Sequence, residues 1–177
     1  MAMQDLAVAM RRAEAVYRRR PETALHDDAP ATIRWQAGTR LEACHAGGVR
    51  VPTDMPRELG GSGEHVSPGW LFRAGLAACS ATCIAMAAAA DGVELAALEV
   101  VARSRSDARA LLGMADADGA LVDAALRDLQ LHVRIAAAGT APDRLRALAE
   151  RGLRRSPVYA GLARALAIEL QIDVHAG

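Results

Sequence analysis

Cysteine supplies the chemistry most readily available to this 177-residue chain. Cys79 and Cys83 stand four residues apart in a long apolar run, and Cys44 stands upstream beside His45. A thiol does nucleophilic or redox work as the thiolate, which needs a cation, a helix N-terminus or a metal close by. The helix predicted around Cys79 opens at Ser67-Pro68, so Cys79 falls in its third turn and gains little from the helix dipole. A reactive Cys79 therefore demands a charge brought from another part of the fold; without one it is a small core residue. Cys83, one turn on, reads as core or as a residue lining the same site. A Cys79–Cys83 disulfide is disfavoured, because i,i+4 Cβ atoms sit about 5–6 Å apart and the bond needs about 3.5–4.5 Å.

Other chemistry is weaker. Cys44 and His45 are adjacent on a predicted strand, so they point to opposite faces and form no local dyad. Zinc on the cysteines with His65 or His132 lacks ligand spacing, and Asp116 and Asp118 before Gly119 lack the remaining ligands of a calcium loop, so no metal or other cofactor is expected. Gly60, Gly61 and Gly63 match neither a dinucleotide fingerprint nor a phosphate loop. Lys+Arg and Asp+Glu are equal at 21 each, and aromatics are 3%, which argues against a nucleic-acid partner. The odd cysteine count in a mid-sized chain fits a reducing compartment, so the expected location is the cytoplasm.

The elements that must position Cys79 follow from patterning. Leu6, Met10, Ala13 and Tyr17 fall at helical spacing and predict a docked N-terminal helix, followed by a connector from Pro21 to Pro30. Thr32 to Gln36, Thr39 to Ala46 and Val49 to Thr53, divided by Ala37-Gly38 and Gly47-Gly48, predict a three-stranded antiparallel meander. Ser67 and Pro68 cap a helix that ends at Asp91-Gly92, about 35 Å long at 1.5 Å per residue. Small or apolar residues surround it, with Gly75, Cys79, Cys83 and Ala87 in one i,i+4 stripe, so protein should cover both sides. The run is long enough for a membrane span, but Arg73 and the lack of an aromatic belt make it a buried helix of a protein with no membrane partner.

Leu98 to Arg103 predicts a further strand. Leu129, Leu131, Val133 and Ile135 alternate with polar residues as a strand with one wet face. Pro142 to Arg155 predicts a helix, Ser156-Pro157 opens another, and Leu166 to Asp173 alternates as a last strand. A single domain of α+β class is the result, with a loop from Asp107 to Asp123 that holds at most a helical turn at Ala108 to Leu112.

Taken together, Asp54-Met55-Pro56, Leu59-Gly60-Gly61, the run from Ser67 to Cys79 and Ser156-Pro157-Val158 resemble the OsmC/Ohr family. The resemblance divides the chain into an N-terminal helix and connector, 1–30, and an OsmC-like domain, 31–177. It implies antiparallel sheets wrapped around a buried central helix in an intertwined homodimer with sites at the subunit interface. Family enzymes that reduce organic hydroperoxides use a peroxidatic Cys in this helix, matched by Cys79. They also use a resolving Cys before Pro-Val, a Glu after the helix-opening Pro, and an Arg from the N-terminal strands. Here Ser156 stands at the resolving position and Gly69 at that of the Glu, and Arg40 is the candidate arginine. Ser156 also has a sufficient role as a helix N-cap, and Arg40 as a solvated strand-end residue.

The resemblance implies thiol-dependent reduction of hydroperoxides in oxidative stress defence, with an external thiol or dithiol resolving Cys79. The alternative is a relative that binds a small apolar or electrophilic ligand at the interface without turnover.

Overall fold

The structure is a computed structural model and describes residues 2–165 together with Ile168 and Leu170. The strand expected over 166–173 lies, but for those two residues, outside the described residues. Two antiparallel sheets and five helices make up the rest, in the expected α+β arrangement. Helix α1 spans Met3–Arg19, strands β1 to β3 span Thr32–Ala37, Arg40–Cys44 and Arg50–Thr53, and α2 spans Pro68–Ala90. Strand β4 (Ala97–Arg105), a one-turn α3 (Ala108–Leu111), β5 (Arg127–Ala136), α4 (Pro142–Arg155) and α5 (Pro157–Ala163) complete the order.

Helix α2 begins where its sequence says it should. The Ser67 hydroxyl accepts from the Trp70 N–H at 3.2 Å, and Pro68 occupies the first helical position, where a missing N–H costs nothing. Leu76, Ser80, Ile84, Ala87, Ala88 and Ala89 form its buried face. That face meets α4 through Leu145, Leu148 and Ala149, and the β4–β5 pair closes the core with Leu98, Val100, Val133 and Ile135. The alternation read in β5 is present from Leu131 through Val133 to Ile135, while Leu129 is exposed and Arg134 reaches Glu99 at 2.8 Å on the wet face.

The closest approach of α2 and α4 depends on Gly152. A Cβ at that position would stand 2.6 Å from the Ile84 Cα and 2.9 Å from its nitrogen, so only glycine permits this separation. The two helices cross with Gly152 opposite Ile84 and Ser156 opposite Cys79.

Among the described residues the chain covers α2 on one side only: Phe72, Gly75, Ala78, Thr82 and Met86 on the other side are exposed, the side for which the sequence reading expects a second subunit. One expectation is revised: helix α1 docks with Ala7 buried, Met3 against the core and Leu6, Met10 and Ala13 half-buried, whereas Tyr17 is exposed.

The β1–β3 meander has the predicted pairing, with Leu41 opposite both Trp35 and Thr53. It packs extensively against none of the helices and not against the second sheet. All six residues of β1 are exposed, Ile33 at 53% and Trp35 at 70%. Lone exposed apolar residues are ordinary, but two on one face of a strand that covers nothing mark a surface fit for a partner.

Candidate functional site

Cys79 is half-buried on α2, and its nearest polar partner is Ser156. The Ser156 hydroxyl donates to Cys79 Sγ at 3.2 Å and accepts from the Tyr159 N–H at 3.3 Å, so its proton and one lone pair are both in use. Ser156 is 0% exposed and forms the junction between α4 and α5, ending one helix and capping the next. The cap role expected from sequence is present, and the contact with the sulfur comes in addition.

Cys83 sits one turn beyond Cys79, also half-buried. Burial pushes its thiol up, and the neighbouring sulfur of Cys79 adds to this through charge and hydrogen bonding. Cys44 lies on the other sheet, its sulfur 3.4 Å from a Glu42 carboxylate oxygen. The Arg50 guanidinium, and after it the Cys44 thiol, hold the Glu42 carboxyl below its ordinary range. His45 turns away and accepts from the Gly47 N–H at 2.9 Å, so the two adjacent residues form no dyad.

Arg40 opens β2 and lies 3.8 Å from Glu64, both side chains largely in solvent, where such a pair contributes little. Among the described residues no hydrogen bond or ion pair joins Arg40 to Cys79. Arg40 is mounted on a rigid base all the same. The buried Asp54 carboxylate accepts from the Thr39 hydroxyl at 2.6 Å, from the Met55 N–H at 2.8 Å, and from the Ser62 N–H and hydroxyl at 2.8 and 2.7 Å. These donors, Thr39 first, hold its pKa well below the usual carboxylate range. Gly61 is indispensable there, since a Cβ would fall 1.8 Å from the Met55 carbonyl oxygen.

At Gly69, where the resemblance sets a Glu, a Cβ would meet the Arg73 guanidinium at 3.5 Å. Arg73 donates to the Ser104 hydroxyl on β4 at 3.2 Å. Sequence reading missed this cation and the Asp54 hub. It also missed Gly152, although a lone glycine inside a predicted helix was the available signal of close packing. No group of three or more His, Cys, Asp or Glu side chains suited to a metal occurs among the described residues. Asp116 is a turn residue, its carboxylate accepting from the Asp118 and Ala120 N–H groups.

Beside the Ser156–Cys79 contact lies an apolar cleft of about 380 Å³ lined by Leu76, Leu129, Leu131, Tyr159 and Leu162. Leu76 precedes Cys79 by one helical turn, and Tyr159 is tied to Ser156, so the cleft flanks the site. A larger cleft of about 740 Å³ runs between β5 and α4, away from both thiols.

Known structures share this architecture. An OsmC-like protein from Mycoplasma pneumoniae superposes with a TM-score of 0.64 over 78% of this chain and 89% of its own, at 16% identity. An organic hydroperoxide resistance protein from Elizabethkingia anophelis gives 0.57 over 77% and 89%, at 19% identity. One from Legionella pneumophila, described as a predicted redox protein, gives 0.54 over 77% and 91%, at 21% identity. Comparison with curated proteins finds no match. The family model for OsmC-like proteins matches residues 61–171, more than half of the chain and inclusive of Cys79, Cys83 and Ser156, and the chain therefore belongs to the OsmC-like family.

Proposed function

We propose that the protein reduces organic hydroperoxides by a one-cysteine cycle at Cys79, as a cytoplasmic homodimer served by an external thiol or dithiol. The observation that carries this reading is the 3.2 Å hydrogen bond from the buried Ser156 hydroxyl to Cys79 Sγ. The Cys79 thiolate attacks the distal peroxide oxygen, the O–O bond breaks, and the alkoxide leaves and takes up a proton as the alcohol. Cys79 is then a sulfenic acid. Ser156 steadies it by hydrogen bonding but has no sulfur to condense with it. A first external thiol attacks the sulfenic sulfur, giving a mixed disulfide and water. A second thiol then releases reduced Cys79 and carries away the new disulfide.

The apolar cleft beside Ser156 suits the organic part of a hydroperoxide. Arg40 supplies the positive charge in this reading, carried on the β1–β3 sheet as that sheet lies across a second subunit. The uncovered faces of β1 and α2 support such a dimer. Gly69 supports the alternative, a ligand-binding relative without turnover, because no carboxylate stands there to orient a guanidinium.

The test is a steady-state assay with cumene hydroperoxide and dithiothreitol or a lipoyl donor. Turnover that disappears in Cys79→Ser and persists in Cys83→Ser and Cys44→Ser supports the peroxidase reading. A wild-type rate equal to that of buffer ends it and leaves the binding reading.

A further inference from the structure

Cys83 has no part in the peroxide cycle, yet it is the thiol nearest Cys79. The two lie four residues apart in α2, one turn from each other on the same face, and both are half-buried. Helical spacing denies them a direct S–S bond, as the separation of their Cβ atoms exceeds what a disulfide accepts. It admits one atom between them. A bridging atom bonded to each sulfur at about 2.3 Å, a usual metal–thiolate length, sets the sulfurs about 3.3 Å apart at a right-angled bridge, against about 2.05 Å in a direct S–S bond.

The surroundings select the bridge. Zinc asks for four ligands, and no third histidine, cysteine or carboxylate joins the pair among the described residues. A monovalent cation on two thiolates would leave a net negative charge beside buried Leu76, Ser80 and Ile84, where burial already favours the neutral thiol of Cys83. An electrophile that consumes both thiols and leaves a neutral adduct carries no such penalty. The exposed neighbours Ala78 and Thr82 are small and leave room for its substituent.

We propose that Cys79 and Cys83 together capture monosubstituted trivalent arsenicals as a cyclic dithiolate closed across one turn of α2. With an arsine oxide the arsenic–oxygen double bond and both S–H bonds break, two As–S bonds form, and the oxygen leaves with both protons as water. Arsenic and sulfur keep their oxidation states, so no reductant is needed. The proposal is independent of the peroxidase reading, since it requires both thiols and no peroxide.

The experiment uses the reduced full-length protein and phenylarsine oxide, with intact-mass detection and counting of free thiols. The expected result is one adduct per chain, with two of the three thiols masked, resistant to glutathione and removed by dimercaptopropanol. Cys44→Ser retains this behaviour. Cys79→Ser, Cys83→Ser and Cys83→Ala give adducts that glutathione strips about a hundredfold faster, the order of gain expected when a second contact becomes intramolecular. Glutathione resistance undiminished in both Cys83 variants, or masking of Cys44, overturns the proposal. Loss of retention in Cys83→Ser with peroxide turnover intact separates this site from the peroxidase cycle. A protein with no peroxide turnover that still holds the arsenical leaves the proposal standing.

Discussion

Replacing Gly152 with alanine tests how the fold delivers Ser156 to Cys79. On helix propensity alone, glycine to alanine in the interior of α4 should stabilise by about 1 kcal/mol. The structure reverses that sign. The new Cβ would lie 2.6 Å from the Ile84 Cα, against about 3.5–4.0 Å for carbon atoms in good contact, so α4 must retreat from α2 by roughly 1 Å. Overpacking of this kind costs about 1–3 kcal/mol, and a backbone neighbour that cannot rotate away puts the cost at the upper end. The net expectation is a loss of about 2 kcal/mol, or about 4–8 °C in midpoint for a chain of this size. Thermal unfolding at fixed protein concentration measures it. Because Ser156 follows Gly152 by one turn, the same retreat stretches the 3.2 Å contact, and peroxide turnover should fall with stability. Leu148→Ala is the control. Leu148 is fully buried, so the variant should lose about 2–5 kcal/mol, yet it opens a cavity without pushing the helices apart and should keep turnover while folded. An unchanged or raised midpoint in Gly152→Ala would refute the close-crossing argument.

Ser156→Ala removes a helix cap and should cost about 1 kcal/mol in urea unfolding. It should also slow peroxide turnover. Ser156→Cys puts a thiol where the hydroxyl meets Cys79 at 3.2 Å, so one round of peroxide should cost the protein a pair of free thiols, countable by thiol titration. Acid unfolding carries its own sign. Asp54 and Asp107 have lowered carboxyl pKa values in the folded state, Asp107 at about 2 through the Arg109 guanidinium. The unfolded chain, with carboxylates near ~3.9, takes up these protons first. Their contribution is therefore complete above about pH 4 and declines towards pH 2 as acid is added. Asp54→Asn should be less stable at pH 7, with a difference from wild type that narrows at low pH in unfolding curves.

Much of the fold was legible because its signals are local. Ser67, Pro68 and Gly92 bound α2 by capping chemistry that acts within four residues, and β5 shows its inward face by simple alternation. What escaped depends on distance along the chain. The Ser156–Cys79 contact joins residues 77 positions apart, and nothing in either neighbourhood encodes it. The resemblance aligned the two positions, and the geometry added that the hydroxyl donates to the sulfur. Asp54 read as part of a motif, but three of its four donors, from Thr39 and Ser62, are brought to it only by the folded chain. The composition of α2 predicted cover all round, because hydropathy records that a face avoids water without recording whose atoms shield it.

In the proposed homodimer the bare surface of β1 makes association a kinetic matter as well as an architectural one. Among the described residues Ile33 and Trp35 stand in the open, on a strand at the edge of its sheet. Whatever settles on that strand enters the rate law of maturation. Recovery from denaturant should therefore quicken as the solution is made more concentrated, and the indole emission of Trp35 should drift to longer wavelength as it is diluted.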